Sequence, residues 1–409
     1  MKKAILLGAT YSKWLNIEKS LGELALLLKS IDIDPVMSFW QVLRTPLPSY
    51  LGTGKLNEIA RYIKMYEADG VVTDDELNSV QRTSLENMLK VEVLDRTQVI
   101  LKNFSRSATT QEGKIEVELA TLEYALSHLI KSKDMSRLGG GIGTVGPGES
   151  KLEMDRRTIK RKISLLETEI EKISREKMTK KSKRISSIIP KVSIVGYTNA
   201  GKSMLLKSLS GFEIKSEDRL FTTLDPITRK VWIGENLYVL FSDTVGFISK
   251  LPTQLVKAFK STLDEIKDAD LILLVIDGSD DDFEKKMQVS IDTISEIGVT
   301  DIPILKVINK IDLCDSNRLS ALSREYPDTI FVSALKRLYL DELLSKIRDE
   351  LTKDYTNLET EVDASQWQRI IGMEGIRIMN FNSSDGKVHA RLKINPVILS
   401  KITEAQNVV

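Results

Sequence analysis

Hydrophobic positions in residues 1–108 come in short apolar runs separated by amphipathic segments. The runs AILLGA, PVMSFWQVL, VVT and VEVLD have the length and composition of β-strands. Between them, the leucine-rich stretch 17–28, a segment that begins near Lys55 and residues 80–89 have helical spacing. Alternation of this kind predicts a small α/β domain.

Residues 109–187 follow a different pattern, in which apolar residues recur at alternating steps of four and three. Two seams with this spacing are Ile115, Leu119, Leu122, Leu126 and Leu129, and then Ile159, Ile163, Leu166, Ile170 and Ile173. The spacing is that of a narrow coiled-coil stripe on a helix. Because two such helices flank one glycine-rich stretch, we predict an antiparallel helical hairpin with the glycines near its tip.

Strand and helix patterns alternate again in residues 188–352. The candidate strands are VSIV, TRKVWI, LYVLF, LILLVI, ILKVIN and TIFVS. They predict a six-stranded, mostly parallel sheet with helices on both faces. In residues 353–409, GIRIMNFNSSDGKVHARLKI reads as two strands joined by a turn, which predicts a hairpin in a small α+β domain. The fold class is therefore α/β, with these four segments as domains.

The composition restricts the class of protein. Of the 409 residues, 42% are hydrophobic, and the formal net charge is only +1, so a nucleic-acid surface would have to be a local patch. The most apolar segment, LILLVI, is far shorter than the roughly 20 residues that span a bilayer. With Cys314, His128 and His389 as its only cysteine and histidines, the chain has few ligands for zinc. We expect a cytoplasmic monomer, at most peripherally attached to a membrane.

Two glycine-rich loops compete for the role of phosphate binder. The first, GGGIGTVGPGES at residues 139–150, contains G-x-G-x-x-G at Gly141, Gly143 and Gly146. A dinucleotide-binding loop must follow a strand and open a helix, whereas the segment before this loop is helical. We therefore expect no nicotinamide to bind, which would rule out a dehydrogenase, and the loop is either a flexible connector or a contact surface.

The second loop, GYTNAGKS, satisfies G-x-x-x-x-G-K-[ST] and lies between the strand KVSIV and the amphipathic segment MLLKSL. In this motif backbone N–H groups converge on phosphates at a helix N-terminus, the lysine binds the β- and γ-phosphates, and the final hydroxyl ligates Mg²⁺. The predicted nucleotide-binding loop consists of Gly196, Tyr197, Thr198, Asn199, Ala200, Gly201, Lys202 and Ser203.

Base selection is predicted downstream, where Asn309, Lys310 and Asp312 follow the strand ILKVI. The Asp312 carboxylate can accept from both the ring N–H and the amino group of guanine, a pair of donors that adenine lacks. We expect Asn309 to tie this loop to the phosphate loop and the stem of Lys310 to cover the base. A second segment, which contains Ser333, Ala334 and Leu335, would reach the guanine carbonyl through its backbone N–H groups.

The γ-phosphate side of the site is predicted from DTVGF and LFTTLDP. Asp243 fits a carboxylate that holds Mg²⁺ through water, and the Gly246 N–H fits a contact to the γ-phosphate. Thr223, with Thr222 as the less favoured alternative, is the candidate switch threonine on Mg²⁺. We assign catalytic roles to Lys202, Thr223 and Gly246. The motifs together predict a GTPase.

Two residues of these motifs modify the prediction. Phe247 stands where many GTPases carry a glutamine that orients the attacking water, so slow intrinsic hydrolysis is expected, with the missing group supplied by another segment or a partner. Asn199 either helps to hold a monovalent cation such as K⁺ beside the phosphates or only stabilises its loop.

The whole chain resembles the HflX family of ribosome-associated GTPases. The most specific carrier is GGGIGTVGPGESKLEMDRR, and YLGTGKLNEI, LFTTLDP, DTVGF and the segment 95–124 fit as well. Ser150 and Leu335 depart from the family pattern, which usually has Thr and Lys there, whereas Phe247 agrees with it. The resemblance implies that the glycine loop reaches the peptidyl-transferase region of the large ribosomal subunit. It also implies nucleotide-dependent dissociation of stalled or idle ribosomes and ribosome-stimulated GTP hydrolysis, with ATP as a further substrate.

Charge supports an RNA contact independently, because residues 151–184 contain 13 Lys or Arg against 6 Asp or Glu. An ordinary solvated helix face is the alternative. The predicted contacts to ribosomal RNA are Gly139, Gly140, Gly141, Gly143, Gly146, Gly148, Arg156, Arg157, Lys160 and Arg161. Two other functions remain open, a GTPase in ribosome assembly or RNA modification, and a switch whose hairpin docks a helical protein without RNA.

Overall fold

The computed structural model describes residues 1–12, 16–137, 147–182, 189–211, 221, 224–250, 260–384 and 386–399. The chain forms two compact units. The first contains Met1–Lys177, Glu217–Asp225 and Lys250–Lys260, and the second contains Met178–Ser216, Pro226–Ser249 and Ser261–Val409. The divisions predicted after residues 108, 187 and 352 stay predictions.

The first unit begins with a four-stranded parallel sheet in the order β2-β1-β3-β4. Its strands are β1 (Lys3–Thr10), β2 (Asp34–Val42), β3 (Gly70–Thr73) and β4 (Glu92–Asp95). Its helices are α1 (Ile17–Lys29), α2 (Thr53–Tyr66), α3 (Ser79–Leu89) and α4 (Arg96–Ser107). β1 and β3 are buried almost throughout, which is why their sequences are continuous apolar runs rather than alternating ones. The α/β prediction is confirmed.

The helical hairpin follows as α5 (Gln111–Arg137) and α6 (Pro147–Ser182). Ile115 and Leu119 of α5 pack with Leu166 of α6 in one apolar cluster, as the seam spacing predicts. Polar pairs flank that cluster: Gln111 donates to Glu169 at 3.0 Å, and Lys162 pairs with Glu118. From Gln111 to Glu118 the chain of α5 advances, whereas the contacted residue on α6 moves back from Glu169 to Lys162, so the two helices are antiparallel.

Two later segments of the chain complete the first unit. Asp225 accepts hydrogen bonds from the backbone N–H groups of Thr109 (2.7 Å) and Thr110 (2.8 Å), at the start of α5. Burial opposes ionisation of Asp225, but the hydrogen bonds from both threonines prevail and hold its pKa below the ordinary value. Lys250 lies 2.5 Å from the buried carboxylate of Asp74. The chain just after Thr223 and just after Phe247 therefore belongs to the first unit.

The second unit is built on a six-stranded sheet in the order β10-β9-β8-β5-β7-β6, in which only β6 is antiparallel to its neighbour. The strands are β5 (Lys191–Gly196), β6 (Ile227–Trp232), β7 (Tyr238–Asp243), β8 (Leu271–Asp277), β9 (Ile304–Asn309) and β10 (Ile330–Phe331). The helices are α7 (Lys202–Ser210), α8 (Lys260–Lys267), α9 (Phe283–Glu296), α10 (Ser316–Glu325) and α11 (Leu340–Leu351). The strand order reverses beside β5, and ligands of open α/β sheets bind at such a switch point.

A three-stranded antiparallel sheet ends the second unit, in the order β11-β13-β12. Its elements are β11 (Thr356–Asp363), α12 (Ala364–Ile371), β12 (Ile376–Ser384) and β13 (Lys387–Ile394). The predicted hairpin is β12 and β13, and Trp367 of α12 is buried against this sheet. Arg377 joins the sheet to the rest of the unit through ion pairs with Glu235 and Asp349. Among the described residues, no helix is both long and apolar enough to cross a membrane.

Candidate nucleotide-binding site

The loop between β5 and α7 can form only because glycine occupies two of its positions. Gly196 and Gly201 have φ angles of 149° and 93°, which side-chain-bearing residues rarely adopt. Space is equally restrictive, since a Cβ on Gly196 would lie 2.2 Å from the carbonyl oxygen of Val275. A Cβ on Gly201 would lie 2.3 Å from Nδ2 of Asn309. The loop thus closes tightly and leads directly into the N-terminus of α7, where backbone N–H groups and the helix dipole attract anions.

Lys202 is the first residue of α7, and its side chain turns back into the loop. Its Nζ donates to the carbonyl oxygens of Gly196 (3.1 Å) and Tyr197 (2.9 Å). The side chain is buried, with 7% of its surface exposed. Burial lowers the pKa of the Lys202 ammonium to about 8, a shift that the nearby Asp243 carboxylate partly offsets. A buried ammonium at the bottom of an N–H-lined loop is a binding group for phosphate.

Ser203 and Asp243 place two oxygen atoms of the kind that ligate Mg²⁺ side by side. The Ser203 hydroxyl donates to Oδ2 of Asp243 at 2.6 Å, and Asp243 is fully buried at the end of β7. Mg²⁺ prefers oxygen ligands and retains waters, so a hydroxyl ligand with a carboxylate behind it fits this ion. Their geometry suits the direct and water-mediated roles predicted for them. Thr223 and Thr222 lie outside the described residues.

The segment that follows Asp243 runs beside the phosphate loop. The N–H of Thr198 donates to the carbonyl of Phe247 at 2.8 Å, and the N–H of Phe247 donates to the carbonyl of Gly196 at 3.0 Å. A Cβ on Gly246 would lie 2.9 Å from the backbone Cα of Thr198 and 2.9 Å from Nζ of Lys202, so only glycine allows this approach. The Phe247 side chain is buried, with 2% of its surface exposed. Gly246 is therefore next to Lys202, the predicted phosphate-binding lysine, while Phe247 is part of the core.

Asn309 connects two loops, at the end of β9. Its Nδ2 donates to the carbonyl of Ala200 at 2.9 Å, and its Oδ1 accepts from the N–H of Ala334 at 2.9 Å. Sequence reasoning predicted the first bond but missed the second. It also missed the hydrogen bond from the Ser208 hydroxyl to the carbonyl of Ala334, at 2.6 Å. The three bonds hold the phosphate loop and the loop after β10 at one edge of the sheet.

The residues predicted to select the base lie together beside Asn309. Asp312 accepts from the Ser333 hydroxyl at 2.5 Å, and Lys310 pairs with Asp277 at 2.7 Å. Leu335, in contrast, is 63% exposed. Asp277 was not predicted, although its position at the end of β8, directly opposite Asn309 in the parallel register, could have indicated it. These contacts hold the Asp312 carboxylate and the Lys310 stem at the rim of the site.

The predicted RNA contacts belong to the other unit and can be described only in part. Residues 139–146, with five of the predicted glycines, lie outside the described residues, and Gly148 is in the first turn of α6. Arg157, Lys160 and Arg161 are exposed on α6, and Arg156 is half-buried. Three cations therefore lie on the solvent side of α6, close in sequence to the glycine-rich segment.

Comparison with known proteins agrees with this architecture. Three protein families match successive parts of the chain: "GTP-binding GTPase N-terminal" matches residues 18–105, "GTP-binding GTPase Middle Region" matches residues 107–184, and "50S ribosome-binding GTPase" matches residues 191–310.

Individual relatives cover most of the chain. The GTPase HflX of Caldanaerobacter subterraneus is 43% identical over 83% of this chain and 76% of its own length. The GTPase HflX of Escherichia coli is 34% identical over 86% of this chain and 83% of its own length. A GTP-binding protein of Sulfolobus solfataricus, solved in complex with GDP, is 28% identical, covers 86% of this chain and 99% of its own, and has a TM-score of 0.45.

Proposed function

This chain belongs to the HflX family of GTPases, and we propose that it acts on the large ribosomal subunit, where GTP binding and hydrolysis promote the dissociation of stalled or idle ribosomes. It is a GTP-hydrolysing enzyme of the P-loop fold. The proposal concerns its partner and its product. Its proposed location is the cytoplasm, where ribosomes are, and its proposed state there is a monomer.

The nucleotide site divides the work among its residues as follows. The phosphate loop, from Gly196 to Ser203, would bind the phosphates through backbone N–H groups, with Lys202 on the β- and γ-phosphates. Asp312 would accept from guanine, while Asn309 keeps its loop in register with the phosphate loop. A bound Mg²⁺ would neutralise charge that develops on the phosphates, and Ser203, Thr223 and Asp243 are its proposed holders.

A monovalent cation is a further proposal at this site. Asn199 is exposed and has a φ angle of 61° in the phosphate loop, so it can adopt the left-handed region that such loops need. We expect hydrolysis to be faster in KCl than in NaCl, and Asn199→Ala to remove the difference. Equal rates of the unmodified protein in the two salts would contradict a K⁺ site. ATP as a second substrate would be detected in the same assay.

The observation that carries the ribosome proposal is the placement of charge on the hairpin. The apolar seam of α6 packs on α5, so the basic side chains Arg157, Lys160 and Arg161 are left in solvent. Lys162, by contrast, pairs with Glu118 of α5. Exposed cations on a helix that follows a glycine-rich segment in the sequence can neutralise RNA phosphates, which is the main source of affinity for nucleic acid.

Charge reversal on α6 tests this proposal. Lys160→Glu with Arg161→Glu should abolish co-sedimentation with large ribosomal subunits in the presence of a non-hydrolysable GTP analogue. The matched control is Lys172→Glu with Arg175→Glu, which reverses two exposed cations about 20 Å farther along the same helix. Equal losses in both variants would indicate nonspecific electrostatics.

Two alternatives give different results in this experiment. A switch that acts through a helical protein partner would leave co-sedimentation weak in the unmodified protein and insensitive to either charge reversal. A GTPase in ribosome assembly would bind precursors of the large subunit in preference to mature subunits, so both particles belong in the assay.

A further inference from the structure

The side chain after the DTVG motif cannot take part in hydrolysis. Phe247 is a hydrocarbon with 2% of its surface exposed, and its backbone N–H and carbonyl are both used in bonds to the phosphate loop. A group that stabilises the transferring phosphoryl must therefore come from elsewhere. The phosphate loop itself contains a candidate.

Thr198 is that candidate, because its hydroxyl is buried and has no partner in the part of the chain that the structure describes. The residue is 6% exposed, and Oγ1 makes no hydrogen bond to any residue that the structure describes. A threonine hydroxyl has one donor and two acceptor positions. Buried polar groups are nearly always satisfied, so an orphan inside a ligand-binding loop indicates that the ligand completes it.

The surroundings of Thr198 indicate which part of the ligand its hydroxyl would contact. A Cβ built on Gly246 would lie 2.8 Å from Cγ2 of Thr198 and 2.9 Å from Nζ of Lys202. Both side chains thus approach one point beside Gly246. The proposed contacts of Lys202 and of the Gly246 N–H include the γ-phosphate. Because Oγ1 is attached to the same carbon as Cγ2, the Thr198 hydroxyl is within reach of the proposed γ-phosphate position.

We propose that Thr198 is a further catalytic residue, whose hydroxyl donates a hydrogen bond to a non-bridging oxygen of the γ-phosphoryl group of GTP. The inference rests on the nucleotide site proposed above, but not on the ribosome. Water attacks the γ-phosphorus, the bond to the β,γ-bridging oxygen breaks, and its electron pair leaves with GDP. The protons of the water pass to the phosphate product and to solvent, so Thr198 keeps its own proton. Its contribution is to stabilise charge on the equatorial oxygens.

GDP lacks the γ-phosphoryl group, so a variant that loses only the proposed contact should hydrolyse GTP more slowly but still bind GDP normally. Thr198→Val replaces the hydroxyl with a methyl of similar size, and Thr198→Ser retains the hydroxyl. In single-turnover hydrolysis without ribosomes, we expect Thr198→Val to be about 10- to 100-fold slower than the unmodified protein. Thr198→Ser should stay within about threefold of it, and the Kd of GDP should change less than about threefold in both variants.

Two results would overturn the assignment. Hydrolysis by Thr198→Val at the unmodified rate would show that the hydroxyl is dispensable. Hydrolysis by Thr198→Ser as slow as that of Thr198→Val would show that the methyl contact with Gly246 matters instead. If Thr198→Val does not fold, Thr198→Ala against Thr198→Ser gives the same contrast. A wrong assignment of the nucleotide site would give a different result. In that case Lys202→Ala would bind GDP as tightly as the unmodified protein does.

Discussion

Asn309→Ala should loosen two loops at once. Asn309 is 2% exposed and bonds the carbonyl of Ala200 and the N–H of Ala334, both at 2.9 Å. Its truncation leaves one buried acceptor and one buried donor without a partner, at a cost of about 1–3 kcal/mol each. Because water can enter part of the space left, we expect a loss of about 2–4 kcal/mol in the local stability of this edge of the sheet.

Amide hydrogen exchange measures that loss where it occurs, which avoids treating a two-unit chain as two-state. A loss of about 2 kcal/mol corresponds to roughly 30-fold faster exchange of the Ala334 amide, and GDP affinity should fall with it. The control is Asn236→Ala, which also removes two side-chain hydrogen bonds, here both donated to carbonyls, but at 3.3 Å and in a half-buried position. The reasoning is refuted if Asn309→Ala exchanges no faster at Ala334 than the control does.

Three further perturbations follow from the contacts described. The pKa of Lys202 is about 8 without nucleotide, and bound phosphates should raise it. Above pH 8, GDP binding should therefore take up a proton, and GDP affinity should fall as the pH rises. Calorimetry in buffers of different ionisation enthalpy measures this proton uptake. Constant affinity between pH 7 and 9.5 would contradict this. Asp225→Ala removes the acceptor at the start of α5 and should cost about 1 kcal/mol of local stability, read from amide hydrogen exchange at Thr109 and Thr110 against Asp225→Asn. Gly201→Ala should destabilise the protein far more than Gly298→Ala does. Both glycines have positive φ angles, but only the Cβ of an alanine at position 201 would collide, with Asn309. Equal melting temperatures of the two variants would exclude the collision.

The sheets and the nucleotide loops were predictable because their signals are local. Runs of apolar residues predicted the strands of the six-stranded sheet, and the spacing within GYTNAGKS predicted which residues enter the loop that precedes α7. The strand β11 was missed because its sequence, TNLETEVD, is mostly polar. It pairs with β13 along its whole length, and its charged side chains remain in solvent.

Contacts between distant parts of the chain were not predictable where no motif connects the two positions. Asp225 caps a helix that begins more than 110 residues before it, and Lys250 pairs with Asp74, which is 176 residues away. No periodicity or motif connects such positions, because each depends on how whole segments pack. The Thr198 hydroxyl, which has no partner among the described residues, belongs to the same class, since Gly246 approaches its side chain from a segment almost 50 residues farther along the chain.

The most direct test of the ribosome proposal is GTP hydrolysis with and without large ribosomal subunits, in the unmodified protein and in a variant that lacks residues 139–148. The account predicts slow hydrolysis alone, strong stimulation by the subunits, and loss of that stimulation, with GDP affinity unchanged, when the glycine loop is deleted. Equal, slow hydrolysis in all four reactions would contradict it.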